Sequence, residues 1–341
     1  MSENLKVVVV DSLSAYIDVV SAINSAENDT AWFRGHSSAT YRLTPGALRD
    51  LVAFRDAYGR PLDGTEVLRA SGYELTGVSP ERMLSDFKRR SIPFLDFVPR
   101  NDFEWLFLMQ HHGVPTRLLD WTTNALVALY FAIEDSQSSG VASDEDREEE
   151  IDEFAKNAAA VFAMNPHKVN HAMHADIDEV VDVAADYGYW EAYTRPTMLS
   201  SEHFDNYAPL CITAPQLSPR IRAQSGLFTI HGRDVNPLDW FSAVRPLITK
   251  ILIPQEKTPI IWQQLRHFGF TKSFIYPGLD SVAHDVRFDE QRRWGHERKA
   301  YLEKLERERS SKEKRAKKKR DARKKSTAAT RGGKMTREKK N

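Results

Sequence analysis

Apolar residues recur along this chain with two different periods, and the switches between them predict a mixture of strands and helices. Residues 5–10 (LKVVVV) are rich in β-branched side chains and read as a short strand. Asp11 or Ser12 can then cap a helix over 13–25, where Leu13, Tyr16, Ile17, Val20 and Ile23 share one face. Residues 30–36 (TAWFRGH) read as a strand ending beside a glycine, followed by a polar loop over 37–44. The stretches 47–55 and 64–75 show no firm period and are expected to be irregular or weakly helical. Ser79 and Pro80 open a helix over 80–90. Residues 101–112 form another, closed by Gly113 and barred from resuming by Pro115.

A short strand or extended turn over 116–120 leads to Thr122 or Thr123 as the cap of a helix over 124–134. That helix (NALVALYFAIE) is apolar nearly all round, which predicts a place at the centre of the core. Further strands are expected at 158–164, 210–214, 226–231, 247–253 and 273–276. Helices are expected near 166–174, 176–187, 258–268 and 281–286. Such interspersed elements imply an α+β fold, a mixed sheet with packed helices.

Composition refines this picture in two places. Residues 136–155 are Ser/Gly-rich and then acidic, with little to bury, and read as an insertion. From about residue 291 the chain becomes strongly basic. Residues 291–341 hold 22 Lys and Arg against 7 Asp and Glu, a net of +15, so the other 290 residues carry −15 and the formal sum of zero conceals the asymmetry. A solvated helix with i,i+4 charge pairs is expected near 297–310, and disorder from 326 onward. The density of Lys and Arg over 311–341 suits the phosphate backbone of nucleic acid, without interleaved aromatics that would stack on single strands. The same tail could instead lie against the acidic body.

One cysteine, Cys211, allows no internal disulfide. Residues 1–10 lack the plan of a secretory leader, and no apolar run nears the roughly 20 residues that span a bilayer. A cytoplasmic protein without a membrane partner is the resulting expectation. His167, His171 and His174 share a helical face, but surface histidines account for them as simply as a metal does, and no metal site is assigned. Walker-type, dinucleotide-fingerprint and nucleophile-elbow motifs are absent.

Three blocks carry a resemblance. The first is Phe33-Arg34-Gly35, preceded by Trp32. The second runs from Gln110 through His111, Gly113, Pro115, Thr116, Arg117, Asp120, Trp121 and Thr122 into residues 125–132. The third is residues 220–228, RIRAQSGLF, with residues 275–280 (IYPGLD) as a trailing element. Together they resemble the FRG domain family over roughly residues 28–285, and the second block is the specific one. The resemblance implies a single FRG-type domain over 28–290, preceded by an N-terminal strand and helix over 1–27 and followed by the tail, 291–341. It supplies no activity.

The residues themselves offer chemistry. Arg34, beside a glycine at a strand end, presents a planar fork for phosphate or carboxylate, or else forms a buried pair with Asp120. Gln110, His111, Thr116, Arg117, Asp120 and Trp121 crowd a turn between two apolar helices, where polar groups either face a pocket or knit the turn together. Gln224 can orient a ribose or a base, or brace its loop. A looser analogy runs to ADP-ribosyltransferases, some of which place an aromatic-Arg-Gly on an early strand to hold a phosphate of NAD. A Ser/Thr-bearing strand follows there, and then a Glu- or Gln-bearing one. Here the order would be Arg34, then Thr116 or Thr122, then Gln224, without the Ser-Thr-Ser or Glu-x-Glu forms. Arg34, Asp120 and Gln224 are thus candidate catalytic residues and Gln110, His111, Thr116, Arg117 and Trp121 candidate substrate-binding ones, with NAD the ligand the analogy brings. A non-catalytic nucleic-acid or nucleotide-binding module is the other reading.

Overall fold

The structure is a computed structural model; it describes residues 4–27, 30–55, 60, 68–70, 73–134, 152–185, 187–196, 206–215 and 223–335. Most of the acidic insertion, residues 220–222 of the third block and the last six residues of the tail lie outside the described residues. Two compact units divide at 277/278.

The first unit is built on an eight-stranded mixed sheet. Its early elements are β1 (Lys6–Val9), α1 (Leu13–Ala26) and β2 (Trp32–His36). Next come β3 (Val52–Ala53), β4 (Leu68–Ala70) and β5 (Tyr73–Thr76), which form a separate small sheet in the order β3-β5-β4. Within the stretches 47–55 and 64–75, expected to be irregular or weakly helical, these described segments pair as strands, because backbone pairing there needs no apolar alternation to hold it. Residues 64–67 and 71–72 lie outside the described residues. Helices α2 (Pro80–Ser91) and α3 (Asp102–His111) lead to β6 (Leu118–Thr122) and α4 (Ala125–Ile133). After the insertion come β7 (Ala158–Met164), α5 (Pro166–Met173), β8 (Val181–Asp182), α6 (Tyr187–Trp190), β9 (Leu210–Thr213), β10 (Gly226–Ile230) and β11 (Ile248–Pro254). Helices α7 (Thr258–His267) and α8 (Lys272–Ile275) close the unit. The large sheet runs β1-β11-β7-β2-β6-β10-β9-β8, antiparallel except for the two edge pairs β1/β11 and β9/β8.

Several expected bounds move for identifiable reasons. The cap of α4 is Asn124, whose side chain accepts from the backbone N–H groups of Leu126 and Val127, while Thr122 remains in β6. The helix expected over 176–187 is a turn and the two-residue strand β8, which adds a parallel edge beside β9. The strand expected over 273–276 is α8, capped by Thr271 accepting from Phe274 N–H. Gly113 and Gly269 follow α3 and α7 at φ 76° and 87°, the left-handed stop that glycine adopts without steric cost.

Burial follows the pleat. All seven residues of β7 are buried, and their alternation feeds two cores. Ala159, Val161 and Ala163 join Phe33, Ile251 and Ile253 beneath α1, α4 and α7. Ala158, Ala160, Phe162 and Met164 join Trp32, Leu119, Trp121 and Leu252 on the opposite face. A third cluster packs α2 and α3 over Leu118, Phe228 and Ile230, in the half of the sheet beyond β6. Buried Cys211 belongs to the second core, and burial pushes its thiol upward, away from reactivity.

The second unit is one helix, α9 (Leu279–Met335). It takes in the segments expected as helices at 281–286 and 297–310 and continues through residues 326–335, expected to be disordered. Ala, Glu, Lys and Arg, all strong helix formers, dominate the helix as a whole, though not residues 326–335 (STAATRGGKM). No helix among the described residues is long and apolar enough to cross a membrane.

Candidate functional site

Strands β2 and β6 share a single register pair, Phe33 with Thr122. Beyond it they splay apart, so the middle of the sheet opens where its neighbours on either side remain fully paired. A cavity of about 860 Å³ lies at this seam. Helices α3 and α4 wall one side of it, through Phe107, Gln110 and His111, and through Ala128, Phe131 and Glu134. The loop after β2 walls another.

That loop is polar in sequence yet firmly held. Ala39 N–H donates to Ala158 O at 2.8 Å, Lys250 Nζ to Ala39 O at 2.7 Å, and Leu43 N–H to Asp239 Oδ1 at 3.0 Å. Each bond crosses to a distant part of the fold, which gives the cavity a pre-formed rim.

Arg34 bridges the splayed strands. Its Nη1 donates to the backbone oxygen of Asp120 at 2.6 Å and lies 3.6 Å from Asp120 Oδ2. Its Nε donates to His36 Nε2 at 2.8 Å. His36 can accept that bond only as the neutral tautomer protonated at Nδ1, which faces Tyr41 O at 3.4 Å. Burial, and then the charge of Arg34, hold His36 well below its ordinary pKa, in keeping with that tautomer. Burial also pulls Arg34 down to about 10; Asp120 opposes the shift and Arg49 adds to it, so the guanidinium remains charged at neutral pH. With two of its three nitrogens engaged, Nη2 has no partner among the described residues, and 13% of the side chain stays open.

A second chain of bonds sets Asp120. Thr116 Oγ1 donates to Gln110 Oε1 at 2.6 Å, and Gln110 Nε2 donates to Asp120 Oδ2 at 2.9 Å. Thr116 is itself fixed by accepting from Leu118 N–H at 3.0 Å. Asp120 is 54% exposed, so the relay orients a carboxylate that remains in contact with water. Gln224 enters from the far side, where its Nε2 donates to Ile275 O at 3.1 Å and leaves Oε1 without a partner among the described residues. Ser225, next in the chain, is the one non-glycine residue with positive φ among the described residues, at 45°.

The cavity therefore brings together Arg34, Asp120, Gln110, His111 and Gln224. Two other sequence candidates, Arg117 and Thr116, lie outside the lining, and a third, Trp121, only borders it. Arg117 is not in the cavity: it is sealed at 2% exposure, donating from Nη1 to Gly232 O at 2.8 Å, with Nη2 3.8 Å from Glu81 Oε1. It stands one residue before β6 and is buried, where a charge must be paired. Thr116 is buried too, and touches the cavity only through Gln110. Trp121 borders the cavity, but its ring packs into the second core and its Nε1 donates to Thr229 Oγ1 at 3.2 Å. The histidines of α5 are engaged apart from the site: His167 and His171 with Asp178, and His174 with Pro209 O.

Sequence reasoning missed Glu134, whose Oε2 accepts from Tyr276 OH at 3.0 Å, and both residues line the cavity. It also missed His36 and Arg49. Tyr276 stands in the trailing block and Glu134 ends the apolar helix, so the signal was a lone carboxylate at a helix end, where the dipole disfavours it.

Comparison with known proteins bears on part of this chain. Residues 29–141 match the family described as FRG domain, and over that segment the chain carries an FRG domain. The match spans β2, α3, β6 and α4, the elements that hold Arg34, Gln110, Asp120 and Glu134. No curated protein and no solved structure matches the chain.

Proposed function

We propose that the cavity binds a phosphate-bearing nucleotide of the NAD type and supports transfer or hydrolysis of its ADP-ribosyl group. The observation that carries this reading is Arg34. It is a charged guanidinium, fixed at two nitrogens and open at the third, facing a cavity whose volume lies in the range of roughly 300–1,000 Å³ usual for ligand sites. Nothing within the described protein takes that third nitrogen, and phosphate oxygens match its geometry.

The remaining groups supply what such a reaction requires. Tyr41, Phe107, Phe131 and Tyr276 offer apolar surface to flat rings. Gln224 Oε1 can accept a hydrogen bond from a ribose hydroxyl. Cleavage breaks the bond between ribose C1′ and nicotinamide nitrogen, and nicotinamide leaves with the electron pair. Positive charge grows on the ribose, and the Asp120 carboxylate stabilises it, as carboxylates do in glycoside cleavage. An acceptor oxygen or nitrogen then bonds to C1′ and gives up its proton to solvent water.

The test is nicotinamide release from NAD by the full-length protein, with water, protein and nucleic acid offered as acceptors. Turnover that falls at least about 100-fold in Asp120→Asn supports the reading. NAD left intact with every acceptor refutes the catalytic part.

A second reading rests on charge. Residues 291–341 carry +15, and the described part of them is helical. In this reading the chain is a nucleic-acid-associated binding module anchored by residues 311–341. Retention on duplex DNA that weakens steeply with salt, and disappears when 311–341 are deleted, supports it; equal retention by the shortened chain removes it.

A further inference from the structure

Three arginines line the cavity, and they are not equivalent. Arg42 is spent: its Nε lies 2.8 Å from Asp239 Oδ2, its Nη2 donates to Asp239 O at 3.3 Å, and its guanidinium lies over the rings of Phe154 and Trp240. Arg34 has one open nitrogen. Arg49 is the freest, since only its Nε is bonded, to Thr44 O at 3.2 Å, and neither Nη group has a partner among the described residues.

Arg49 is also well placed by its backbone. It follows the turn Gly46–Leu48, whose Ala47 N–H donates to Thr116 O at 3.1 Å and whose Ala47 and Leu48 are buried. The turn that aims Gln110 through Thr116 therefore also anchors the base of Arg49. The bond to Thr44 fixes its stem and leaves the fork outward. Its charge reaches the site, where it lowers the pKa of both Arg34 and His36. Two guanidinium groups that repel each other across an open cavity are a standing cost, which an anion placed between them removes. A pyrophosphate offers each fork a phosphate of its own, with bidentate geometry at both.

We infer that Arg34 and Arg49 form a two-arginine clamp for a pyrophosphate group, with Arg49 the residue that separates pyrophosphate-bearing ligands from monophosphates. This rests on the proposed nucleotide reading and narrows it to ligands whose halves are joined through two phosphates. Arg42, held by Asp239, serves as wall.

The experiment is calorimetric titration of full-length protein and its Arg49→Ala and Arg49→Gln variants, at fixed ionic strength, with inorganic pyrophosphate, orthophosphate and NAD. Arg49 is exposed and makes one hydrogen bond, so both variants are expected to melt with the parent. The basic tail is the same in all three proteins, so its background cancels. The clamp predicts that the parent binds pyrophosphate at least about tenfold more tightly than orthophosphate. It also predicts that either variant loses about tenfold on pyrophosphate and less than about threefold on orthophosphate. Equal pyrophosphate affinity in parent and variants overturns it, as does a parent that binds the two anions alike. NAD separates the two levels of the argument. If Arg49-dependent pyrophosphate binding occurs without NAD binding, the clamp stands and the nucleotide reading falls. If NAD binds equally to parent and variants, the reading stands and the clamp falls.

Discussion

Replacing Gly35 with alanine isolates the packing role of the third residue in the aromatic-Arg-Gly motif. A Cβ at residue 35 would lie 2.0 Å from Ala128 O and 2.6 Å from Ala132 N, both backbone atoms of α4. Ordinary contact begins near 3.4 Å, so β2 and α4 must separate by about 1.4 Å. No flexible side chain can absorb that shift. Helix α4 is itself wedged against α7, with the rings of Tyr130 and Trp262 4.8 Å apart. Overpacking against rigid backbone places the cost at the upper end of the usual range, about 3 kcal/mol. In a body of this size that corresponds to a fall of roughly 6–12 °C in Tm. Urea or thermal unfolding followed by circular dichroism reads it directly. Unfolding free energy within about 1 kcal/mol of the parent would show that β2 and α4 are not in the contact described, and would remove the reason for glycine at this position.

Two further predictions concern buried polar groups. Arg117→Met removes a buried charge 3.8 Å from Glu81 together with the bond to Gly232 O, and is expected to cost about 3 kcal/mol of stability while leaving ligand affinity at the cavity unchanged; a loss of affinity without a loss of stability would return Arg117 to the site. His231 is fully buried, and burial followed by the charge of Arg117 brings its pKa down to about 3. Its neutral form is favoured by folding, so the associated stability is complete above the unfolded value near 6.5. It is lost as pH falls toward 3, at up to about 1.4 kcal/mol per pH unit. His231→Gln should therefore take up about one proton fewer on unfolding at pH 4.5 than the parent, measured from the pH dependence of urea unfolding; identical slopes would contradict it.

Much of the frame was legible because its signals are local. β7 coincides with its expected bounds since seven consecutive small and apolar residues admit little else. Helix α2 begins at the expected cap Ser79, while Asn101, expected as the first residue of the next helix, instead caps it, each accepting from the third helical N–H. The small sheet of β3, β4 and β5 was not legible, because its pairing lacks an alternating apolar pattern and is set by backbone partners at a distance. The site divides along the same line. Arg34, Asp120 and Gln224 announce themselves by residue type beside glycine or in a dense polar block. Arg117 stands in the same block, just before β6, yet is buried against Gly232 O and Glu81, and only the packing of distant segments decides which polar residue faces the opening. His36, Arg49 and Glu134 are single polar residues in ordinary surroundings, and their convergence is a property of the splayed strands alone.

The most direct test of the account is the affinity of the full-length protein for NAD, compared with Arg34→Ala and Arg34→Lys in the same buffer. The account predicts measurable binding by the parent and a loss of at least about tenfold in the alanine variant. It also predicts incomplete recovery with lysine, which cannot hold His36 and Asp120 while reaching a phosphate. Absence of NAD binding by the parent, or equal affinity in all three proteins, contradicts it.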